Sequence, residues 1–190
     1  MPAEIQREWR SWTNSLQKTP ALTISCCVFK QNQAHFKIHG FADASKVAVC
    51  PVLYIVPNQD LPPVDQNSLA AKSRVAPKEM SIPRLEFVAA HTLEKLENNV
   101  SGALASFPIA AYNNWVDSIT VLCWLGNCGE WTTFVRNRVK VIGKLTESGT
   151  WRYIPTTENP SDLGTRGSES KKLRVLAEGT KLAIGRVRKT

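Results

Sequence analysis

The chain has 190 residues, 43% apolar and 21% charged, the balance of one globular domain with short appendages and enough apolar mass for a real core. Its formal charge of +8 sits mostly at one end: Ser168–Thr190 holds seven basic and two acidic residues, leaving +3 for everything before it, so the basicity belongs to a tail that either holds phosphate non-specifically or is simply solvated. The five cysteines are an odd count without paired zinc spacing, Met1–Arg10 is too charged for a secretory signal, and no apolar run nears the roughly 18 residues that span a bilayer, so an intracellular protein, in cytoplasm or nucleus, is expected.

In chain order, Ile5, Trp9, Trp12 and Leu16 recur at helical spacing and predict an amphipathic helix over 3–17. After Thr19-Pro20 the chain reads as extended from Ile24 to Phe29. Ala34–Asp43 predicts a strand in which Phe36, Ile38, Gly40 and Ala42 alternate against Lys37, His39 and Phe41. Val47–Val56 follows after three residues and should return as an antiparallel hairpin. Asn58–Asn67 is a polar loop, and Ser68–Ala76 reads as a third strand.

Pro77 and Pro83 bracket a turn into a helix from about Arg84 to Val100, with Pro83 suited to its first turn. In that helix Leu85, Val88, Ala89, Leu93, Leu96 and Val100 face the core, while Glu94, Lys95 and Glu97 are expected to point elsewhere. Tyr112–Val116 is a short strand running into Asp117-Ser118 and an apolar helix, Ile119–Leu125, which Gly126 and Gly129 stop. Thr132–Thr146 turns Val135, Val139, Ile142 and Leu145 inward and Arg136, Lys140 and Lys144 outward. Trp151–Pro155 is the last strand, and Asn159-Pro160-Ser161 opens a final short helix. The order implies an α/β fold: a five-stranded mixed sheet, three N-terminal strands antiparallel, with helices on both faces.

Four acids stand where a strand stops or a helix starts: Asp43, Glu86, Asp117 and Asp162. Ligand sites in open α/β sheets form outside the carboxyl ends of parallel strands, so carboxylates far apart in sequence can converge there. Such a cluster repels itself unless divalent cations neutralise it, and an oxygen-only set suits Mg²⁺ or Mn²⁺. Each acid taken singly is better read as a helix cap or a favourable dipole partner, and it is the sequence around each that overturns this reading.

The segments around these acids are specific. They are His39-Gly40-Phe41-Ala42-Asp43-Ala44-Ser45; Lys72-Ser73-Arg74-Val75-Ala76-Pro77 with Ile82-Pro83-Arg84-Leu85-Glu86; Trp115-Val116-Asp117-Ser118 with Val121-Leu122-Cys123-Trp124; Trp131–Val139; and Trp151–Pro155 with Glu158–Leu163. In this order they resemble the ribonuclease H region of the Bel/Pao class of long-terminal-repeat retrotransposons, also catalogued as a Pao-type peptidase. The resemblance runs from about Ile5 to Gly167. It implies a ribonuclease H-like fold over 34–167, preceded by an opening helix and extended linker at 1–33 and followed by a basic tail at 168–190. It also implies a metal-dependent endonuclease that cuts the RNA strand of an RNA/DNA hybrid, beside a reverse transcriptase domain in a parent polyprotein.

By that resemblance Asp43 would bridge two Mg²⁺ (or Mn²⁺) ions, Glu86 and Asp117 would complete one site and Asp162 would help hold the other. Ser45, Ser118, Asn159, Arg166, Arg136 and Lys140 are candidate nucleic-acid contacts. Ser118 and Asn159 also suit capping, Arg166 suits a pair with Asp162 four residues before it, and Arg136, Lys140 and Lys144 suit a solvated face.

Val49-Cys50-Pro51 stands where the family continues to an aromatic-Gly-Ala segment. Pro51 should therefore require a bulge or a local rearrangement in an interior strand, and the lost glycine should crowd the backbone. Many cellular ribonucleases H carry a histidine just before the last aspartate as a proton shuttle; here His35, His39 and His91 lie elsewhere, so that role is unfilled unless Glu158 serves. A peptidase is excluded because neither Asp43-Ala44-Ser45 nor Asp117-Ser118-Ile119 has the glycine of an aspartic-peptidase loop. The alternative to catalysis is an inactive, domesticated module used for nucleic-acid or protein binding.

Overall fold

The computed structural model describes residues 2–17, 35–58, 67–126, 129–145 and 149–167. The extended segment at 24–29, most of the polar loop and the basic tail lie outside the described residues. The helices are α1 (Ala3–Gln17), α2 (Ile82–Ala103), α3 (Ile119–Leu125), α4 (Thr133–Leu145) and α5 (Asp162–Arg166). The strands are β1 (Phe36–Ala44), β2 (Ala48–Pro57), β3 (Asn67–Ala71), β4 (Arg74–Val75), β5 (Ile109–Val116) and β6 (Gly149–Tyr153).

The sheet runs β3-β2-β1-β5-β6, with β4 also on β2. β1 and β2 form the expected hairpin, in register from Phe36↔Pro57 to Ala44↔Val49, whereas β1, β5 and β6 are parallel. The expected third strand is divided into β3 and β4, both antiparallel to β2.

β1 does not alternate between core and solvent as its sequence suggests. It is flanked on both sides and buried on both faces, with only Lys37 and the flanking residues partly open. Ile38, Ala42 and Ala44 join Leu53, Leu85, Leu93 and Val121 in the larger core, under α2, α3 and α4. Phe41 joins Val52, Val56, Trp115 and Ile154 in a second core on the opposite face, where Trp115 Nε1 donates to His39 Nδ1 at 3.2 Å. A central strand with two apolar faces reads as a continuous run. Gly40 is needed where α2 crosses it, because a Cβ there would strike the Asn114 amide and both Leu93 methyls.

Pro51 makes no bulge in the hairpin. Its pairing with Ala42 continues the ladder unbroken, and its carbonyl accepts from Lys72 N–H at 3.0 Å on the β3–β4 side. In an antiparallel strand a residue's N and C=O point the same way, so the missing donor faces the gap between β3 and β4 rather than β1. The register shift lies elsewhere, between Leu53 and Tyr54 against β3.

α2 begins two residues before the expected start, with Pro83 in its first turn, and places Glu86 in its second turn. Glu94 and Glu97, expected to point outward, are 1% and 7% exposed. Asn114 of β5 donates to Glu94 Oε1 at 3.0 Å, while Asn114 Oδ1 and Glu97 Oε2 have no partner. Burial first, and then the neighbouring Glu94 charge, push Glu97 up to about 7, against the lowering effect of the Asn114 hydrogen bond. A proton on Glu97 removes its repulsion with Glu94, which lets two carboxyls share one apolar interior.

Because its folded-state pKa lies above the unfolded one, Glu97 contributes stability that is complete below about pH 4.5 and lost as pH rises through about 7. Urea titrations across pH 5–8 are expected to show stability falling by about 1–3 kcal/mol from this group, and Glu97→Gln to flatten the slope. An unchanged slope in that variant would contradict the assignment.

Candidate functional site

The parallel strands β1, β5 and β6 end at one edge of the sheet, the edge where open α/β folds bind ligands. Asp43 is the last residue but one of β1, and Asp117 follows β5 directly. Beyond β6, Ile154 N–H donates to Val116 O at 3.0 Å, and the chain makes a short 3-10 turn, Thr156–Glu158, before α5. Glu86 reaches the same edge from α2.

Asp43, Glu86 and Asp117 line one open cavity of about 330 Å³, together with Lys46, Thr156 and Arg166. Asp43 is 6% exposed and Glu86 half-buried. Burial raises the proton affinity of both, and the Asp117 charge raises it further. Hydrogen bonds from Thr165 to Asp43 and from Ser118 to Glu86 act in the opposite direction. The site is therefore an acid cluster in which like charges repel, and its all-oxygen donors have the chemistry of a hard divalent cation site. Among the described residues no three carboxyl, imidazole or thiol groups are gathered closely enough to hold an ion as they stand.

Asp162 is not in the cavity lining. Its Oδ1 accepts from Arg166 Nε at 2.6 Å, the i,i+4 pair that its spacing suggests, although its charge still raises Asp43. The pair keeps Arg166 at the cavity.

The smaller polar residues are committed to structure. Ser45 lines the cavity, but its hydroxyl donates to Thr165 O at 2.7 Å and accepts from Val47 and Ala48 N–H. Ser118 caps α3 by accepting from Val121 N–H at 3.3 Å. Asn159 donates to Ala42 O at 3.2 Å and accepts from Ser161 N–H at 3.1 Å, tying the last loop to β1. Arg136 and Lys140 lie exposed on α4, outside the cavity lining. Neither a histidine nor Glu158 lines the cavity.

Sequence reasoning missed how α5 is held. Thr165 Oγ1 donates to Asp43 Oδ2 at 2.5 Å, with Asp162 O 2.9 Å from the same hydroxyl. One residue earlier, Gly164 lies so close to β2 that a Cβ would strike Cys50 Sγ. Cys50 thus takes up room that Gly164 leaves, which is how the helix approaches although β2 has no glycine at that point. No local signal in either segment announces this, since 114 residues separate them.

The mixed sheet with three parallel strands, the α2–α4 layer on one face and α5 on the other is a ribonuclease H-like fold. The sequence matches over residues 1–118 the family described as "Pao retrotransposon-like RNaseH-like domain", and the chain belongs to that family. No curated protein matches the chain. Among solved structures, the foamy viral protease-reverse transcriptase in complex with dsDNA is similar in fold, with TM-score 0.51 and 13% identity over 82% of this chain and 30% of that one. The metagenomic LC11-RNase H1 isolated from compost is similar over 74% of this chain and 99% of its own, with TM-score 0.49 and 13% identity. The RNase H1 of the halophilic archaeon Halobacterium salinarum NRC-1 matches 67% of this chain and 90% of its own, with TM-score 0.42 and 12% identity.

The Gly164–Cys50 contact gives a reciprocal test. Gly164→Ala is expected to destabilise the fold by about 1–3 kcal/mol through overpacking. Cys50→Ala in the same chain should recover at least half of that loss, measured as a double-mutant cycle in chemical denaturation. Additive losses would mean the two do not pack as described.

Proposed function

We propose that this protein is a metal-dependent ribonuclease H that cleaves the RNA strand of an RNA/DNA hybrid. The observation that carries the reading is the lining of one cavity, at the carboxyl ends of parallel strands, by three carboxylates that repel one another. Membership of an RNaseH-like family agrees with it.

Asp43, Glu86 and Asp117 would hold divalent cations, Mg²⁺ or Mn²⁺, with Asp162 as a fourth ligand once it parts from Arg166. The chemistry such ions supply is stabilisation of the attacking and departing oxygens of a phosphodiester displacement. The chain's own residues supply the rest. Asp43 is held by Thr165, Glu86 is oriented by Ser118, and Arg166 and Lys46 bring positive charge to the rim, where a phosphate would approach. Recognition of a hybrid would rest on minor-groove shape and 2′-hydroxyls rather than base sequence. Arg136, Lys140 and Lys144 on the outer face of α4 would add non-specific phosphate attraction.

Residues 34–167 would form the nuclease domain, with 1–33 and 168–190 as its appendages. The foamy viral relative in fold is a protease-reverse transcriptase. By analogy the domain would work beside a reverse transcriptase in a longer polyprotein. Among the described residues no helix is long and apolar enough to cross a membrane.

The test is cleavage of a labelled RNA/DNA hybrid with Mg²⁺ or Mn²⁺, beside single-stranded RNA and duplex DNA. Metal-dependent cutting of the hybrid RNA is expected, falling at least 100-fold in Asp117→Asn, in keeping with the several kcal/mol that metal coordination contributes. A folded protein that cuts nothing under either metal would favour a non-enzymatic binding module.

A further inference from the structure

Charge is sorted within the helical layer. Of α2's three carboxylates, Glu86 lines the cavity and Glu94 and Glu97 are buried. α3 carries no charged residue, and α4 carries Arg136, Arg138, Lys140 and Lys144 with no acid. The charge these helices show to solvent is therefore cationic: Arg84 and Lys95 from α2 and the exposed cations of α4, with Arg138 half-buried between them.

Arg84, His91 and Lys95 follow one another at seven and four residues, on the face of α2 turned away from the sheet. Arg84 and Arg138 share one aromatic ring, their Cζ atoms 5.3 and 3.8 Å from the Phe134 centroid. Arg138 donates to Phe134 O at 3.2 Å, while its buried Nε has no partner. Among the described residues no carboxylate pairs with Arg84, Lys95 or Arg138. His91, held down to about 4 by burial and then by Lys95 and Arg138, is neutral at pH 7 and brings ring nitrogens rather than charge. Like charges lined up without counter-charge are unfavourable in a free protein and become favourable when an anion lies across them.

We propose that the α2–α4 seam is a phosphate track, taking the sugar-phosphate backbone of the nucleic-acid duplex beyond the cavity. The track starts two residues from Glu86 at Arg84 and runs to Lys95, a helical rise of about 16 Å, or roughly five base-pair steps along one strand. Arg138, stacked on Phe134, presents a guanidinium already ordered, so it loses little freedom on meeting a phosphate. Cations strung along one seam with no acid among them suit an extended phosphate backbone better than the irregular acids of a peptide.

This inference rests on the reading of the cavity as a nucleic-acid site, but not on cleavage. The test is fluorescence anisotropy of a labelled RNA/DNA hybrid long enough to pass Lys95, titrated with the full chain in EDTA over a salt series. Lys95→Ala and Arg138→Gln are each expected to weaken binding about three- to ten-fold near 0.1 M salt and to lower the salt slope by about 0.9. Arg138→Lys should recover part of the loss. Wild-type affinity and slope in both variants, or tighter binding of polyglutamate than of hybrid at equal salt, would overturn the track. If the seam variants weaken binding while the wild type cuts nothing, the track stands and the nuclease reading falls. If the wild type cuts and the variants bind as it does, the track falls alone.

Discussion

Asp43 lies at the end of the central strand, 6% exposed, with Glu86 and Asp117 beside the same cavity. A carboxylate so placed costs several kcal/mol unless hydrogen bonds or opposite charge answer it. The Thr165 hydroxyl answers it in part, and in doing so joins the last helix to the first strand. The rest of the site follows from that junction. α5 must come close enough to β1 and β2 for Thr165 to reach, which leaves no room for a side chain at 164, and the loop before it is pinned by Asn159 to Ala42. What hydrogen bonding cannot cancel is the mutual repulsion of the acids, and a cation is the natural remedy.

The same sheet imposes the other constraints. Because β1 is covered on both faces, its residues fall into two cores, and the helical layer must pack so tightly that Gly40 carries no side chain. Aromatic contacts close that layer: Phe87 meets Trp124 edge-on, with ring centroids 5.3 Å apart, and Trp124 meets Trp131 in turn. Acids in this layer have only two destinations, the cavity or the interior beside Asn114. Its solvent face is left to cations, so a negative pocket is flanked by a positive surface, an arrangement that draws a polyanion toward a metal-bearing centre.

Much of this was legible in the residues. The hairpin, α3 with its Ser118 cap, the amphipathic α4 and the placing of Asp43, Asp117 and Asp162 at element ends follow from period, capping chemistry and the carboxyl-edge rule, whereas Glu86 lies one turn into α2. Three kinds of feature were not. Alternation in β1 misleads because a two-faced core erases the difference between the two sets of residues. Glu94 and Glu97 read as lying off the core face because side-chain polarity outweighs helix geometry when no partner is visible, and Asn114 is 20 positions from Glu94. Val49-Cys50-Pro51 looks disruptive because its two remedies, a gap between β3 and β4 facing Pro51 and Gly164 facing Cys50, come from distant segments.

The central claim is that the acids around Asp43 are assembled to hold divalent cation, and calorimetric titration of the full chain with Mn²⁺ tests it most directly. The account predicts saturable uptake that disappears in Asp43→Asn, while that variant, relieved of repulsion yet still able to accept from Thr165, melts no lower than the wild type without metal. No uptake by the folded wild type, or uptake that Asp43→Asn leaves intact, would contradict it.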